Sequence, residues 1–107
     1  MRADHVYSRM RELFEDNMAI SQAKNKDYSG TDNDFYHNFK YVERLGICSL
    51  ETGILTRMSD KFTRLCNLVN DFSKAEVKSE KLEDTLKDLL NYGYYLLVYI
   101  KDNDSPR

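Results

Sequence analysis

Proline is absent from the body of this chain. The one proline, Pro106, is the penultimate residue, and only four glycines occur in 107 residues. Proline breaks helices and glycine weakens them, so a sequence nearly free of both can sustain long uninterrupted helices. Hydrophobic periodicity locates them. Asp4 can cap a first helix in which Val6, Tyr7, Met10, Leu13, Phe14 and Ile20 recur at helical spacing to about Ala23. A polar, turn-rich stretch follows over 24–34. Thr31 and Asp32 can cap a short helix carrying Phe35, Phe39 and Val42, with Gly46 as its stop. Ser49 can cap a third helix running to about Asn70, whose buried arc would hold Ile54, Leu55, Met58, Phe62, Leu65 and Val69. A linker over 71–78 leads to Ser79 and a fourth helix, and residues 101–107 form a polar tail. The expectation is one all-α domain over 1–107, a helical bundle of three long helices plus a short one.

The fourth helix, 79–100, carries two contrasting faces. Leu82, Leu86, Leu89, Gly93, Leu96, Leu97 and Ile100 form an apolar stripe, and Asp84, Asp88 and Asn91 lie roughly opposite. Further along, that opposite face becomes Tyr92, Tyr95, Val98 and Tyr99. A face that begins with carboxylates and ends in tyrosines predicts a helix covered on both sides, with an acidic, partly enclosed pocket near its middle. Enclosed carboxylates are costly unless a cation compensates them.

Bulk properties exclude several classes. Charged residues are 32% of the chain but the net charge is only −2, so no strong field toward nucleic acid or membrane follows. No apolar run is long enough to span a bilayer and no apolar signal region opens the chain, which predicts a cytoplasmic protein. Cys48 and Cys66 lack metal-ligand spacing, and His5 and His37 have no partner for a zinc site. Glu51 falls within the apolar arc of the third helix but also in its first turn, where the helix dipole favours it.

Three groups of residues can carry chemistry. On the third helix Arg57, Asp60, Lys61 and Arg64 share one face at i, i+3, i+4, i+7 spacing. They read either as a solvated face with an Asp60–Arg64 ion pair or as an anion clamp, for which the planar arginine fork suits phosphate oxygens. On the fourth helix Asp84 and Asp88 stand one turn apart, a repulsion that Mg²⁺ would relieve. Glu80 and Glu83 belong to its first turn and fit the dipole. In KNKDYSG, Tyr28 can stack on a base and Lys24 or Lys26 can meet a phosphate, although an ordinary surface turn has the same composition.

Taken together, KNKDYSG, RMSDKFTRLCNLV and VKSEKLEDTLKDLLNYGYYLLVYI resemble, in order and spacing, the nucleotide modification associated domain 1 family common in phage genomes. That family is similar to the MazG-like all-α NTP pyrophosphatases. The resemblance covers about residues 10–100. It implies a MazG-like fold with Lys24, Asp27 and Tyr28 in a nucleotide-facing segment. It implies Arg57, Asp60, Lys61 and Arg64 on a phosphate- or metal-facing helix, and Asp84, Asp88, Asn91 and Tyr92 on the acidic helix opposite. The chain departs from the pyrophosphatase pattern of an ExxE and an ExxD motif on successive helices. RMSDKFTR replaces the first, with Asp60 its only acid. In the second, Asp88 fits the final acid but Thr85 stands three positions before it. Fewer carboxylates and more cations predict weaker metal binding with phosphate binding retained.

These readings lead to three functional expectations. The first is a Mg²⁺-dependent nucleotide pyrophosphohydrolase, with catalytic Asp60, Asp84 and Asp88 holding the metal and Arg57, Lys61 and Arg64 neutralising the leaving pyrophosphate. The second is a nucleotide binder without turnover, either an accessory to nucleotide modification or a protein that sequesters a nucleotide signal. The third is a helical interaction module. If phage-encoded, the protein would act in the host cytoplasm. The run Tyr94, Tyr95, Leu96, Leu97, Val98 and Tyr99 leaves the fourth helix apolar on nearly all sides, which predicts a homodimer or tetramer with sites near the subunit boundary.

Overall fold

A computed structural model describes residues 1–29, 34–70 and 75–103, without the side chains of 26–29 and 75–79. Among the described residues the chain is all-helical. Helix α1 spans Ala3–Ser29, a single 3-10 turn spans Asn38–Lys40, and α2, α3 and α4 span Tyr41–Arg44, Leu50–Asn70 and Ala75–Asp102. Three long helices and a short one are thus present, as the periodicity predicts. No helix among the described residues is long and apolar enough to cross a membrane. The chain divides into two compact units, Met1–Asn38 and Phe39–Arg107.

In the first unit α1 continues six residues past its expected end at Ala23, through KNKDYS to Ser29. The stretch expected as a loop is therefore helical up to that point. Its lysines and asparagine are tolerable helix residues, and no proline or glycine intervenes before Gly30. Asp4 lies inside the first turn rather than at the cap, its Oδ1 accepting from the His5 amide at 3.0 Å. Among the described side chains of this helix Asn17 and Ser21, one turn apart, are buried, while Val6, Met10, Leu13, Phe14 and Ile20 are exposed. The expected caps Thr31 and Asp32 lie outside the described residues. Phe35 belongs to a turn, not a helix, in which Asp34 Oδ1 accepts from the Tyr36 amide at 3.0 Å.

The second unit is organised by how the chain enters α3. Gly46, at φ +71°, ends α2 in the left-handed region, as expected of a glycine stop. The Gly46 amide donates to Glu43 O at 3.0 Å and the Ile47 amide to Val42 O at 2.9 Å, the paired bonds of a Schellman ending. Three residues later Ser49 caps α3, its Oγ accepting from the Thr52 amide at 3.1 Å. The Glu43 carboxylate reaches back and accepts from the Leu50 amide at 2.7 Å, so an acid from α2 also closes the positive end of α3. Gly53 admits α2 against α3: a Cβ there would stand 2.9 Å from Val42 Cγ2. Leu50 and Ile54, on this part of α3, are fully buried.

Helices α3 and α4 then pack along their length, with the Met58 terminal methyl over Gly93. The polarity of α4 differs from expectation. Leu86, Leu97 and Ile100 of the predicted apolar stripe are 40–49% exposed, whereas Asp88, Asn91, Tyr92, Tyr95 and Tyr99 are half-buried. Likewise Leu55, Phe62 and Val69 of the expected α3 arc are more than half or half exposed, and Ile54, Met58 and Leu65 turn inward. The unit packs through one flank of each expected arc. Thr85 is buried instead, which its hydroxyl tolerates by donating to Lys81 O at 2.7 Å.

Candidate functional site

Taking the Met58–Gly93 contact as the seam of the hairpin, one side of α3 carries Arg57, Asp60, Lys61 and Arg64, and the adjoining side of α4 carries Asp88 and Tyr92. The 3.6-residue repeat puts all six on a single side. There five of them, Arg57, Asp60, Lys61, Arg64 and Tyr92, line an open cleft of about 380 Å³. That volume falls within the ~300–1,000 Å³ usual for small-molecule pockets. The four charged residues singled out by spacing on α3 thus share one concavity with an aromatic from α4.

Each member is held differently. Lys61 Nζ meets Asp88 Oδ2 at 3.2 Å across the two helices, both side chains about 30% exposed. The compensation expected for Asp88 comes from a lysine of the next helix. The Arg57 guanidinium lies over the Phe39 ring, 4.9 Å from its centroid. Phe39 in turn packs against Tyr92 at 6.3 Å and Tyr95 at 6.2 Å, and those two tyrosines meet edge to face at 5.9 Å. A wall of three aromatics therefore fixes one end of the cation row. Arg64 and Asp60 are exposed, and among the described residues they are not ion-paired with each other. The solvated-pair reading of this face loses its specific contact.

The remaining predicted site residues are distributed less tightly. Asp84 is exposed and does not line the cleft. Asn91 is half-buried on α4 beside Tyr92. Lys24 is exposed on α1, and Asp27 and Tyr28 belong to the same helix by their backbone, their side chains lying outside the described residues. Among the described residues, no three His, Cys, Asp or Glu side chains gather closely enough to hold a metal ion. Sequence reasoning missed Phe39 as a site residue. The signal available was its position as an aromatic just before a helix, but its stacking on Arg57 depends on the path of the α2–α3 turn.

The electrostatic character of the cleft follows from this inventory. Arg57, Lys61 and Arg64 face two carboxylates, Asp60 and Asp88, leaving a small positive excess. Two arginine forks and a lysine around a cavity of this size suit an anion with several oxygens. Compared with protein-family models, with curated proteins and with solved structures, the chain matches none.

Proposed function

We propose that the protein binds a nucleotide, its phosphates held by Arg57, Lys61 and Arg64 and its base set against Tyr92 at the aromatic end of the cleft. The observation that carries this reading is that the cation row opens into the same concavity as a ring-packed tyrosine. Charge supplies affinity for phosphate, and an aromatic face accepts a base with little regard to its identity. The sequence resemblance to phage nucleotide modification associated domains supports the same ligand class, with Asn91 of α4 as a further nucleotide contact. Mg²⁺ enters as a companion of the phosphates, with Asp60 as the carboxylate in the cleft for it. The protein works as a homo-oligomer in this reading, in keeping with its half-exposed leucines.

Calorimetry with mono-, di-, tri- and cyclic nucleotides, with and without Mg²⁺, tests the proposal. Binding should be tighter than millimolar and weaken with added salt, more steeply for triphosphates than for monophosphates. Charge-assisted phosphate contacts are worth roughly 1.5–3 kcal/mol, so Arg64→Ala should weaken binding by about tenfold or more. Absence of binding to every nucleotide would leave the helical interaction module in its place.

Turnover is the second reading, motivated by Asp60 in the cleft and Asp88 at its cations. It requires Asp60, Asp84 and Asp88 to hold Mg²⁺ for attack on the α-phosphate, and Asp88 to leave Lys61. Pyrophosphate release from a panel of dNTPs with Mg²⁺ tests it. Binding without release assigns the protein to nucleotide sequestration or to an accessory role.

A further inference from the structure

The side of the α3–α4 hairpin away from the cleft has a different character. Every exposed α3 residue other than Arg57, Asp60 and Arg64 is uncharged, in a chain that is 32% charged overall. Leu55, Phe62 and Val69 project from this side at seven-residue intervals, 52%, 58% and 50% exposed. Their polar neighbours are turned inward on the helix itself. Thr56 Oγ1 donates to Thr52 O at 2.9 Å, Ser59 Oγ to Thr56 O at 2.6 Å and Thr63 Oγ1 to Ser59 O at 3.0 Å. Hydroxyls satisfied by their own backbone need no water, so these three positions can be dried without orphaning a donor. On α4 the same side of the hairpin presents Leu86, Leu90 and Leu97, 40–58% exposed.

We propose that this face binds a second copy of the same chain, with the two α3 helices antiparallel about a two-fold axis level with residues 60–61. The face supplies both halves of its own complement. Bulky Leu55, Phe62 and Val69 alternate along it with small Thr52, Ser59 and Cys66. In the antiparallel register Phe62 faces Ser59 of the second copy, Leu55 faces Cys66 and Val69 faces Thr52. Each large side chain meets a small one, and the two-fold repeats every contact in reverse, the isologous condition for a closed dimer. Seven-residue spacing of the large positions is also what lets two helices stay in contact along their length. The exposed α3 residues of this face carry no charge, and on its α4 half Glu83 is already paired with Lys87 at 3.2 Å, so little is left to orient a charged partner. Two helices ~10 Å wide and ~27 Å long present roughly 500–600 Å² of flat area, the order of the ~800 Å² of accessible surface per partner in stable pairs.

This inference rests on the oligomeric part of the proposed function and is independent of the nucleotide part, because the cleft opens on the opposite side. Sedimentation of the full chain at micromolar concentration should give a dimer mass or an even multiple. Phe62→Glu should reduce that mass to the monomer's with the helical circular dichroism unchanged, and Ser59→Glu should do the same should Phe62→Glu fail to fold. In a Cys48→Ser background, Leu55→Cys should yield a covalent dimer on oxidation, and adding Cys66→Ser should abolish it. A monomeric wild type overturns both the oligomer and this face. An oligomer whose mass survives both glutamate variants, without the cross-link, overturns this face alone.

Discussion

Asp88 is the residue at which geometry most alters the chemical expectation. On sequence it pairs with Asp84 as a repelling carboxylate awaiting a metal, so that Asp88→Asn should hold or raise the melting temperature. With Lys61 Nζ at 3.2 Å, the same change instead removes an attraction. A partly exposed pair contributes within ~1 kcal/mol, so the variant should lose that much stability at most. It should also free Lys61 for phosphate and tighten nucleotide binding several-fold in calorimetry. Weaker binding would show that Asp88 acts on the ligand side, through Mg²⁺, rather than as the brake on Lys61. Phe39 and Arg57 permit a parallel experiment. Phe39→Leu leaves the charge but removes the ring beneath it, so affinity should fall less than with Arg57→Ala, both read by calorimetry. Gly53 tests the seat of α2. Alanine there gains ~1 kcal/mol of helix propensity but collides with Val42, a short β-branched side chain with little room to yield. Overpacking of ~1–3 kcal/mol should outweigh the gain. Gly53→Ala should therefore lower the denaturation midpoint, and Val42→Ala in the same chain should recover part of it.

At the scale of elements, what the sequence reveals depends on whether the signal is local. Ser49 as a cap and Gly46 as a stop are local signals, and both operate as their chemistry predicts. Ser49→Ala should cost ~1 kcal/mol and Gly46→Ala ~1–2 kcal/mol in chemical denaturation, the latter because φ +71° crowds a Cβ. The extension of α1 through KNKDYS was less legible, since Lys, Asn and Asp are as common in polar loops as on a solvated helix. The inner face of α4 was legible only in part: Leu82, Leu89, Gly93 and Leu96 of the predicted stripe are half-buried, whereas Leu86, Leu97 and Ile100 are exposed. Periodicity identifies its leucine stripe and its acid–tyrosine stripe, but a helix with two coverable faces does not say which one its own chain covers. Here α3, Phe39 and the α2 turn take the tyrosine side, because Phe39, Tyr92 and Tyr95 interlock there and Lys61 neutralises Asp88. The same ambiguity reversed part of the α3 arc, where Leu55, Phe62 and Val69 face out. For the site, the four charged residues of α3 were legible because helical spacing alone places them together. The aromatic wall was not, since it needs the α2–α3 connection.

For the whole molecule, the distribution of buried surface is the governing fact. Among the described residues the fully buried apolar side chains are Leu50 and Ile54, both at the end of α3 that α2 covers. Among the described residues many other large apolar side chains, Leu55, Phe62, Leu90 and Leu97 among them, are 49–58% exposed, which leaves an internal core that contributes little stability alone. The leucine face that α4 leaves outward and the uncharged face of α3 lie on one side, so a single association event would bury both. Association then adds to the stability of a monomer that folds by itself, and the melting temperature must depend on concentration. Near the dimer's midpoint, above the melting temperature of the free monomer, dissociation and unfolding coincide, and a tenfold rise in concentration contributes about 1.4 kcal/mol per dimer, or about 0.7 kcal/mol per chain. With the usual unfolding entropy of a chain this size, the midpoint should rise by about 3 °C per tenfold. Calorimetric scans of wild type across two decades of concentration should show that slope, and Phe62→Glu should melt lower at a concentration-independent temperature. Nucleotide should raise the midpoint of both proteins, because the cleft lies on the other side of the hairpin. A wild-type midpoint that ignores concentration would mean that association adds nothing to the monomer's own fold, built on Leu50, Ile54 and the aromatic wall.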